Sequence, residues 1–192
     1  MQGMKTKGWL SRTKLGDKSP TVVEPNPWLV TNPIFDETPR YVGGVSVLDQ
    51  TRLLTVLRHN RLVSLFLGLS TYSHTINYRA QMRGIGQIEI DEVYVGVDRE
   101  GRQFVVPVQA KGGNDKLSAV QARQDIMCCA SKFPALICRA ISAQFMEGDL
   151  IALFKLTLED GMIKVADEAH YRLVPADQIS REELKTYAQR RK

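Results

Sequence analysis

The feature that most constrains the fold is a pair of β-rich runs joined by a short turn-forming segment. Residues 87–95 (QIEIDEVYV) alternate polar and apolar side chains, and residues 103–111 (QFVVPVQAK) form a second run rich in strand-favouring residues. Residues 98–101 (DREG) have the composition of a tight connection, so the two runs are predicted to pair as an antiparallel hairpin. Pro107 has no N–H to donate and therefore indicates an edge position or a local distortion in the second strand.

Helical periodicity precedes this hairpin. Ser46 and Asp49 resemble a capping box, and leucines recur at helical intervals after them. The pair His59-Asn60 interrupts the pattern, which predicts one broken helix or two short ones packed on a sheet. Residues 74–83 are compatible with a strand that leads into the hairpin.

Another helix and more strands are predicted after the hairpin. Asp115 has the residue type of a helix cap, and the apolar spacing that follows it predicts a helix through Ser131. Residues 135–143 are predicted to form a strand. Residues 150–158 and 162–173 are predicted to form a hairpin about an Asp-Gly turn, and a short charged helix is predicted from residue 180 onward.

The N-terminal part of the chain has a different character. Residues 1–44 hold five of the eight prolines and show no sustained periodicity. They are predicted to form an irregular basic and proline-rich arm. Residues 45–192 are predicted to form a single α/β domain.

The net charge of +5 is unevenly distributed. Residues 1–20 carry a net charge of +4 and residues 181–192 a net charge of +3, and basic tails of this kind are commonly just solvated. A more informative stretch lies between Asp49 and Glu89, which contains no acidic residue. The basic residues of that stretch are Arg52, Arg58, Arg61, Arg79 and Arg83.

The cysteines and the absence of long apolar runs in the sequence bear on the cellular compartment of the protein. Cys128, Cys129 and Cys138 are odd in number and lack metal-ligand spacing, which favours reduced, buried thiols over disulfides or zinc. No stretch reaches the roughly 18 apolar residues of a membrane span, and the first residues lack the apolar centre of a secretory signal. We therefore expect a cytoplasmic protein without a membrane partner.

Polar side chains gather at the open end of the predicted hairpin. Because side chains alternate along a strand, Glu89 and Asp91 are predicted to share one face while Glu92 points to the other. Gln109 and Lys111 share a face of the second strand by the same rule. Carboxylate and amide oxygens beside a lysine suit phosphodiester hydrolysis, which needs oxygen ligands for a divalent cation and a cationic group near the attacking water.

These two segments, IEID at residues 88–91 and QAK at residues 109–111, resemble the PD-(D/E)xK nucleases, the restriction-endonuclease-like superfamily. The QxK form is similar to its Mrr-like subgroup. The resemblance covers roughly residues 87–125 and implies an α/β fold with an αβββαβ core and a mixed central sheet. The predicted C-terminal β-hairpin and the N-terminal arm lie outside it.

The resemblance also implies roles for individual residues. Asp91 would be the principal ligand of Mg²⁺ or Mn²⁺, Gln109 a weaker amide-oxygen ligand or a group that orients water, and Ala110 a ligand through its carbonyl. Lys111 would position or activate the nucleophilic water. Glu89 would take part in the same site.

Nucleic-acid contacts are expected around these residues. Gln121 and Gln124 lie on the helix after Lys111, where the family often carries polar residues. Arg79 and Arg83 precede the first strand of the hairpin and would contact phosphates, with a solvated strand face as an equal alternative. DNA is the expected partner, and double-strand cutting would favour a two-fold homodimer.

The chain departs from the family pattern at three points. Ile90 rather than proline precedes Asp91, the preceding helix has no acidic residue after Asp49, and Gln109 is neutral. Three interpretations stay open: a Mg²⁺-dependent endonuclease of restriction, repair or defence, a catalytically inactive nucleic-acid-binding or assembly module on the same fold, and an unrelated α/β protein. DNA against RNA and cleavage specificity are open as well.

Overall fold

The alternating runs of the sequence form the centre of a strand-rich mixed sheet with helices on both faces. The computed structural model describes residues 22–38, 49–112, 115–147 and 150–189. Four α-helices occur within these residues. None of them is both long enough and apolar enough to cross a membrane.

The elements follow one another along the chain as β1 (Val22–Val23), β2 (Thr31–Phe35), α1 (Asp49–His59), α2 (Leu62–Leu67), β3 (Ser70–Met82), β4 (Gly86–Val97), β5 (Gln103–Lys111), β6 (Leu117–Ser118), α3 (Ala119–Lys132), β7 (Ile137–Cys138), β8 (Ala140–Met146), β9 (Leu150–Glu159), β10 (Met162–Val174) and α4 (Arg181–Gln189).

The main sheet has the strand order β2-β10-β9-β8-β5-β4-β3, with β7 also paired to β5. Strands β3, β4 and β5 are consecutive antiparallel neighbours. Strand β8 then lies parallel to β5 after the crossover through α3, and β9 and β10 continue antiparallel from β8. The predicted mixed α/β sheet and its C-terminal hairpin are therefore confirmed.

Helices α1 and α2 cover one face of the sheet. Leu53, Leu57 and Leu62 are fully buried against residues of β5, β8 and β9. The predicted break lies at Arg61, which has a left-handed backbone (φ 51°) between the two helices. Asn60 beside it is buried, and its Oδ1 accepts a hydrogen bond from Glu37 N–H at 2.7 Å. Asn60, at the break between the two helices, thus binds the segment that follows β2.

Helix α3 covers the other face, and it begins later than the sequence predicts. Asp115 does not cap it: the N-cap is Ser118, whose side chain accepts a hydrogen bond from Gln121 N–H at 3.3 Å. Residues 117–118 instead form β6, which pairs with β1. Cys128 and Cys129 are free and buried in this layer, whereas Cys138 is free and half-buried.

Pro107 lies in the interior of the sheet and not at an edge. On one side, β5 pairs with β7 only through Phe104 and Val105 and with β8 only from Val108 onward. Pro107 falls between these two short ladders, where an N–H is not required. The expectation of an edge position is therefore wrong: β5 stays paired with β4 through Pro107 without a register shift, and only the pairing on the β7 and β8 side is interrupted there.

The expectation of an irregular segment over residues 1–44 is wrong in its described part. Residues 31–35 form β2, an edge strand parallel to β10, and residues 22–23 form β1. Asn26 between them donates its N–H to Glu168 Oε1 on β10 at 2.8 Å. Residues 1–21 and 39–48, including the predicted cap at Ser46, lie outside the described residues.

Candidate active site

Strands β4 and β5 separate at the end of their hairpin opposite the turn. Their ladder runs from Val97 and Gln103 to Glu92 and Val108, where it ends. At the next position Asp91 intervenes through its side chain, whose Oδ2 accepts the N–H of Ala110 at 2.8 Å. A carboxylate therefore occupies the place that a backbone carbonyl would take in a continuing ladder.

Gln109 and Lys111 border the same gap. The Gln109 side chain is buried, and its Nε2 donates across the gap to the Glu89 carbonyl at 3.2 Å. Lys111 is half-buried at the end of β5 and interacts electrostatically with Asp91. Asp91, Gln109 and Lys111 thus lie around the separation of β4 and β5, with Asp91 in contact with Gln50 of α1 and Gln109 in contact with Asp125 of α3.

The backbone of Ala110 also faces this gap. In an extended strand, one residue directs its N–H and C=O groups toward the same neighbouring strand. The Ala110 N–H binds Asp91, so its carbonyl oxygen is on the Asp91 side as well. This orientation is the one that a carbonyl ligand would need.

Glu89 lies at the margin of the gap. Its Oε1 pairs with Arg79 at 3.0 Å, and both side chains are largely exposed. Glu89 acts on Asp91 only as a nearby negative charge. Arg79, which was expected to contact phosphate, is thereby held by a protein carboxylate.

The strict alternation expected for Glu89, Asp91 and Glu92 is interrupted. Ile90 and Val93 both join the apolar cluster beneath α3, although they are three positions apart. Glu92 turns instead to the α1 side, where it is fully buried and pairs with Arg58 Nε at 2.9 Å. Opposite Asp91 on β3, Asn77 has a left-handed backbone (φ 51°).

The other predicted contact residues are more scattered. Arg83 is exposed in the turn between β3 and β4, at the end of the sheet where Asp91 lies. Gln121 and Gln124 are both half-buried on α3. Gln121 is one turn before Asp125 and on the same side of the helix, whereas Gln124 is not.

Asp125 is the residue that the sequence reasoning missed. It is 2% exposed on α3, makes a side-chain hydrogen-bond contact with Gln109 and interacts electrostatically with Asp91 and Lys111. Its sequence signal was a carboxylate on the apolar side of a helix, one turn after Gln121 and one turn before Cys129.

Three further polar side chains lie near Asp91, Gln109 and Lys111. Gln50, in the first turn of α1, makes a hydrogen-bond contact with the Asp91 carboxylate. On β8, Ser142 is the register partner of Gln109 and Gln144 that of Lys111, so both pairs share a face of the sheet. The alternation of Ser142 and Gln144 along β8 was the available sequence signal.

Burial dominates the electrostatics of the two aspartates. Burial raises the pKa of Asp91 above its ordinary value, and the Ala110 N–H and Lys111 only partly oppose this effect. Burial also raises the pKa of Asp125 to about 7, with the Gln109 contact opposing the rise and the Asp91 charge adding to it. The site therefore holds two carboxyl groups at low dielectric and little compensating positive charge.

The atoms that could act as metal ligands fit a hard divalent cation. They are all oxygens: the Asp91 carboxylate, the Ala110 carbonyl and the buried Gln109 Oε1, which has no hydrogen-bond partner among the described residues. Among all the residues that the structure describes, no group of three or more His, Cys, Asp or Glu side chains is arranged to hold a metal. A cation here would depend on few carboxylates and on neutral oxygens and water, as Mg²⁺ often does.

Searches of protein-family models, of curated proteins and of solved structures found no match to this chain.

Proposed function

We propose that the chain is a divalent-cation-dependent endonuclease of the PD-(D/E)xK type that hydrolyses phosphodiester bonds of DNA. The observation that carries this proposal is the convergence of Asp91, Gln109 and Lys111 where β4 and β5 separate. Polar groups with unmet hydrogen-bonding capacity are costly inside a sheet, and a binding site gives them a reason to be there.

The topology adds independent support. The chain forms two helices (α1 and α2) and then three consecutive antiparallel strands (β3 to β5). The crossover helix α3 follows, and it leads to β8, which is parallel to β5. This is the order that an αβββαβ core requires. The candidate residues fall on its second and third strands.

The chemistry follows from these positions. Asp91, with the Ala110 carbonyl and Gln109 Oε1, would hold Mg²⁺ or Mn²⁺, which when bound supplies Lewis acidity toward the scissile phosphate and its attacking water. Lys111, beside Asp91, would orient that water and oppose the charge that develops on the phosphoryl oxygens. Gln109, whose Nε2 donates to the Glu89 carbonyl, would have its amide oxygen free to bind the cation.

Cleavage of plasmid DNA with Mg²⁺ or Mn²⁺, with and without EDTA, tests the proposal. We expect Asp91→Ala to lose both cation binding and cleavage. Lys111→Ala should still bind cation and DNA but cut slower by a factor on the order of 10². Lys132→Ala, at the far end of α3, is the matched control and should cut normally. A wild-type protein that does not cut, or a fully active Lys111→Ala, would contradict the mechanism.

One observation favours a catalytically inactive nucleic-acid-binding or assembly module on the same fold. Gln109 is neutral, and the pKa values of both Asp91 and Asp125 are raised, so the site carries little negative charge to attract a cation. Gln109→Glu distinguishes the two functions. If this variant gains cation binding and cleavage that the wild type lacks, the natural chain is the inactive module.

A further inference from the structure

Asp125 is a buried carboxyl group in an otherwise apolar surrounding. It is 2% exposed, and α3 buries Ala122, Cys128 and Cys129 beside it. Transfer of an ionised carboxylate from water into such a position is strongly unfavourable unless a partner compensates it. The described residues near Asp125 offer one cationic side chain, the half-buried Lys111.

The hydrogen bonds around Asp125 are incomplete in one consistent way. Asp125 Oδ1 and Gln109 Oε1 are both buried and have no hydrogen-bond partner within the described part of the chain. Gln144 Oε1, on the strand beside Lys111, is a third such atom. All three are acceptors when Asp125 is ionised. A site with a surplus of buried acceptors and too few donors is suited to a cation.

Gln109 links Asp125 to the gap between β4 and β5. The side chain of Gln109 contacts Asp125, while its Nε2 donates to the Glu89 carbonyl on the far side. Asp91 acts on Asp125 through its charge, so the carboxyl groups of β4 and α3 lie within electrostatic range of each other.

We propose that Asp125 is the second carboxylate ligand of the divalent-cation site, supplied from α3 in place of the acid that the strand pattern would carry at position 109. This inference rests on the proposed function. It gives the neutral Gln109 a physical account, because the charge missing from β5 is restored from the helix packed above it. The site then has the two carboxylates that are sufficient for Mg²⁺ when water and substrate oxygens complete the shell.

Direct binding of Mn²⁺ to the full chain without DNA tests the proposal, with the free Mn²⁺ signal read by electron paramagnetic resonance. Asp125→Asn keeps the size of the side chain and removes its charge. We expect it to raise the Mn²⁺ dissociation constant by roughly tenfold to a hundredfold. Asp160→Asn, in the exposed β9–β10 turn, is the matched control, since asparagine tolerates the left-handed backbone (φ 52°) at that position.

A double variant separates a ligand from a structural residue. Gln109→Glu/Asp125→Asn returns the acid to the strand and should recover most of the Mn²⁺ affinity lost in Asp125→Asn. If Asp125→Asn weakens Mn²⁺ binding and the double variant does not restore the Mn²⁺ affinity, Asp125 acts through folding and the proposal is overturned.

The two proposals fail in different ways. If the wild type does not bind Mn²⁺, the cation-dependent function fails and the role of Asp125 fails with it. If the wild type binds and Asp91→Asn abolishes binding while Asp125→Asn leaves it unchanged, the proposed function stands and Asp125 is excluded as a ligand.

Discussion

At the scale of single residues, Asp125 shows how a buried acid couples proton uptake to folding. Its folded pKa of about 7 lies above the ordinary value of 3.8, so the folded chain prefers the protonated form. Between these two values the unfolded chain has lost a proton that the folded chain retains. Stability from this group is therefore complete below about pH 4 and is lost as pH rises toward 7.

The loss of stability with rising pH gives a prediction for the metal-free protein. Between pH 5 and pH 7 in EDTA, the wild type should lose roughly 2–3 kcal/mol more unfolding free energy than Asp125→Asn, because each pH unit is worth about 1.4 kcal/mol. Urea unfolding at the two pH values measures the difference. Equal pH dependence in both proteins would mean that Asp125 is as well solvated in the folded chain as in the unfolded one.

The same residues mark how much of the site could be predicted from sequence. Asp91, Gln109 and Lys111 could be chosen because strand alternation and a nearby turn fix their approximate positions. Asp125 could not, since the rotation of a helix about its axis is set by packing and a lone aspartate on a helix is usually solvated. The interruption at Asp91 was equally hidden, because it lies opposite a left-handed Asn77 that no local pattern of the sequence predicts.

At the scale of elements, α1 is joined to β4 by a buried ion pair. Arg58 Nε lies 2.9 Å from Glu92, whose side chain is fully buried. The Tyr94 hydroxyl interacts with both groups, and burial raises the pKa of Tyr94 well above its ordinary range. The same helix carries Gln50, which contacts Asp91, so the pair also fixes the first turn of α1 beside the site.

Removing one partner of this pair should be costly. Arg58→Met leaves Glu92 buried without its cation, and we expect a loss of about 3–5 kcal/mol in unfolding free energy. Urea denaturation near neutral pH measures this loss. Arg58→Met/Glu92→Met, which removes both charges, should be much closer to the wild type. Single and double variants of equal stability would show that Glu92 finds another partner.

The elements that were predicted wrongly share a physical cause. Helices α1, α2 and α3 and the two hairpins carry their signals within a few residues, as periodicity or as turns. Strands β1, β2 and β6 are short and owe their conformation to partners far along the chain, such as β10 for β2. No local pattern encodes such pairing, so the prolines around residues 25–33 predict an irregular arm where the structure has β2.

At the scale of the whole molecule, Arg83 lies in the β3–β4 turn, at the end of the β4–β5 hairpin where the two strands separate. The turn between β4 and β5 lies at the opposite end and carries Arg99, which is 92% exposed. If DNA approaches the candidate site from the end where β4 and β5 separate, Arg83 is on the approach side and Arg99 is on the opposite side.

Salt dependence of DNA binding tests this orientation. Arg83→Ala should reduce the slope of log affinity against log salt concentration by about 0.9, which corresponds to one lost phosphate contact. Fluorescence anisotropy with a short duplex in EDTA measures the slope. Arg99→Ala should leave it unchanged, and an equal effect of both variants would indicate non-specific attraction instead of a defined approach.

The parallel pairing of β2 with β10 has a consequence for synthesis of the chain. Thr31 pairs with His170, so an early strand and a late strand must meet before this edge of the sheet exists. While the ribosome adds residues at roughly 5–20 per second, residues 31–35 emerge many seconds before their partner. Strands β3 to β5 have neighbours close in sequence and can associate during that interval. We therefore expect the edge that contains β3 to form before the opposite edge, with the β2 segment left without its strand partner until residues 170–174 have been added.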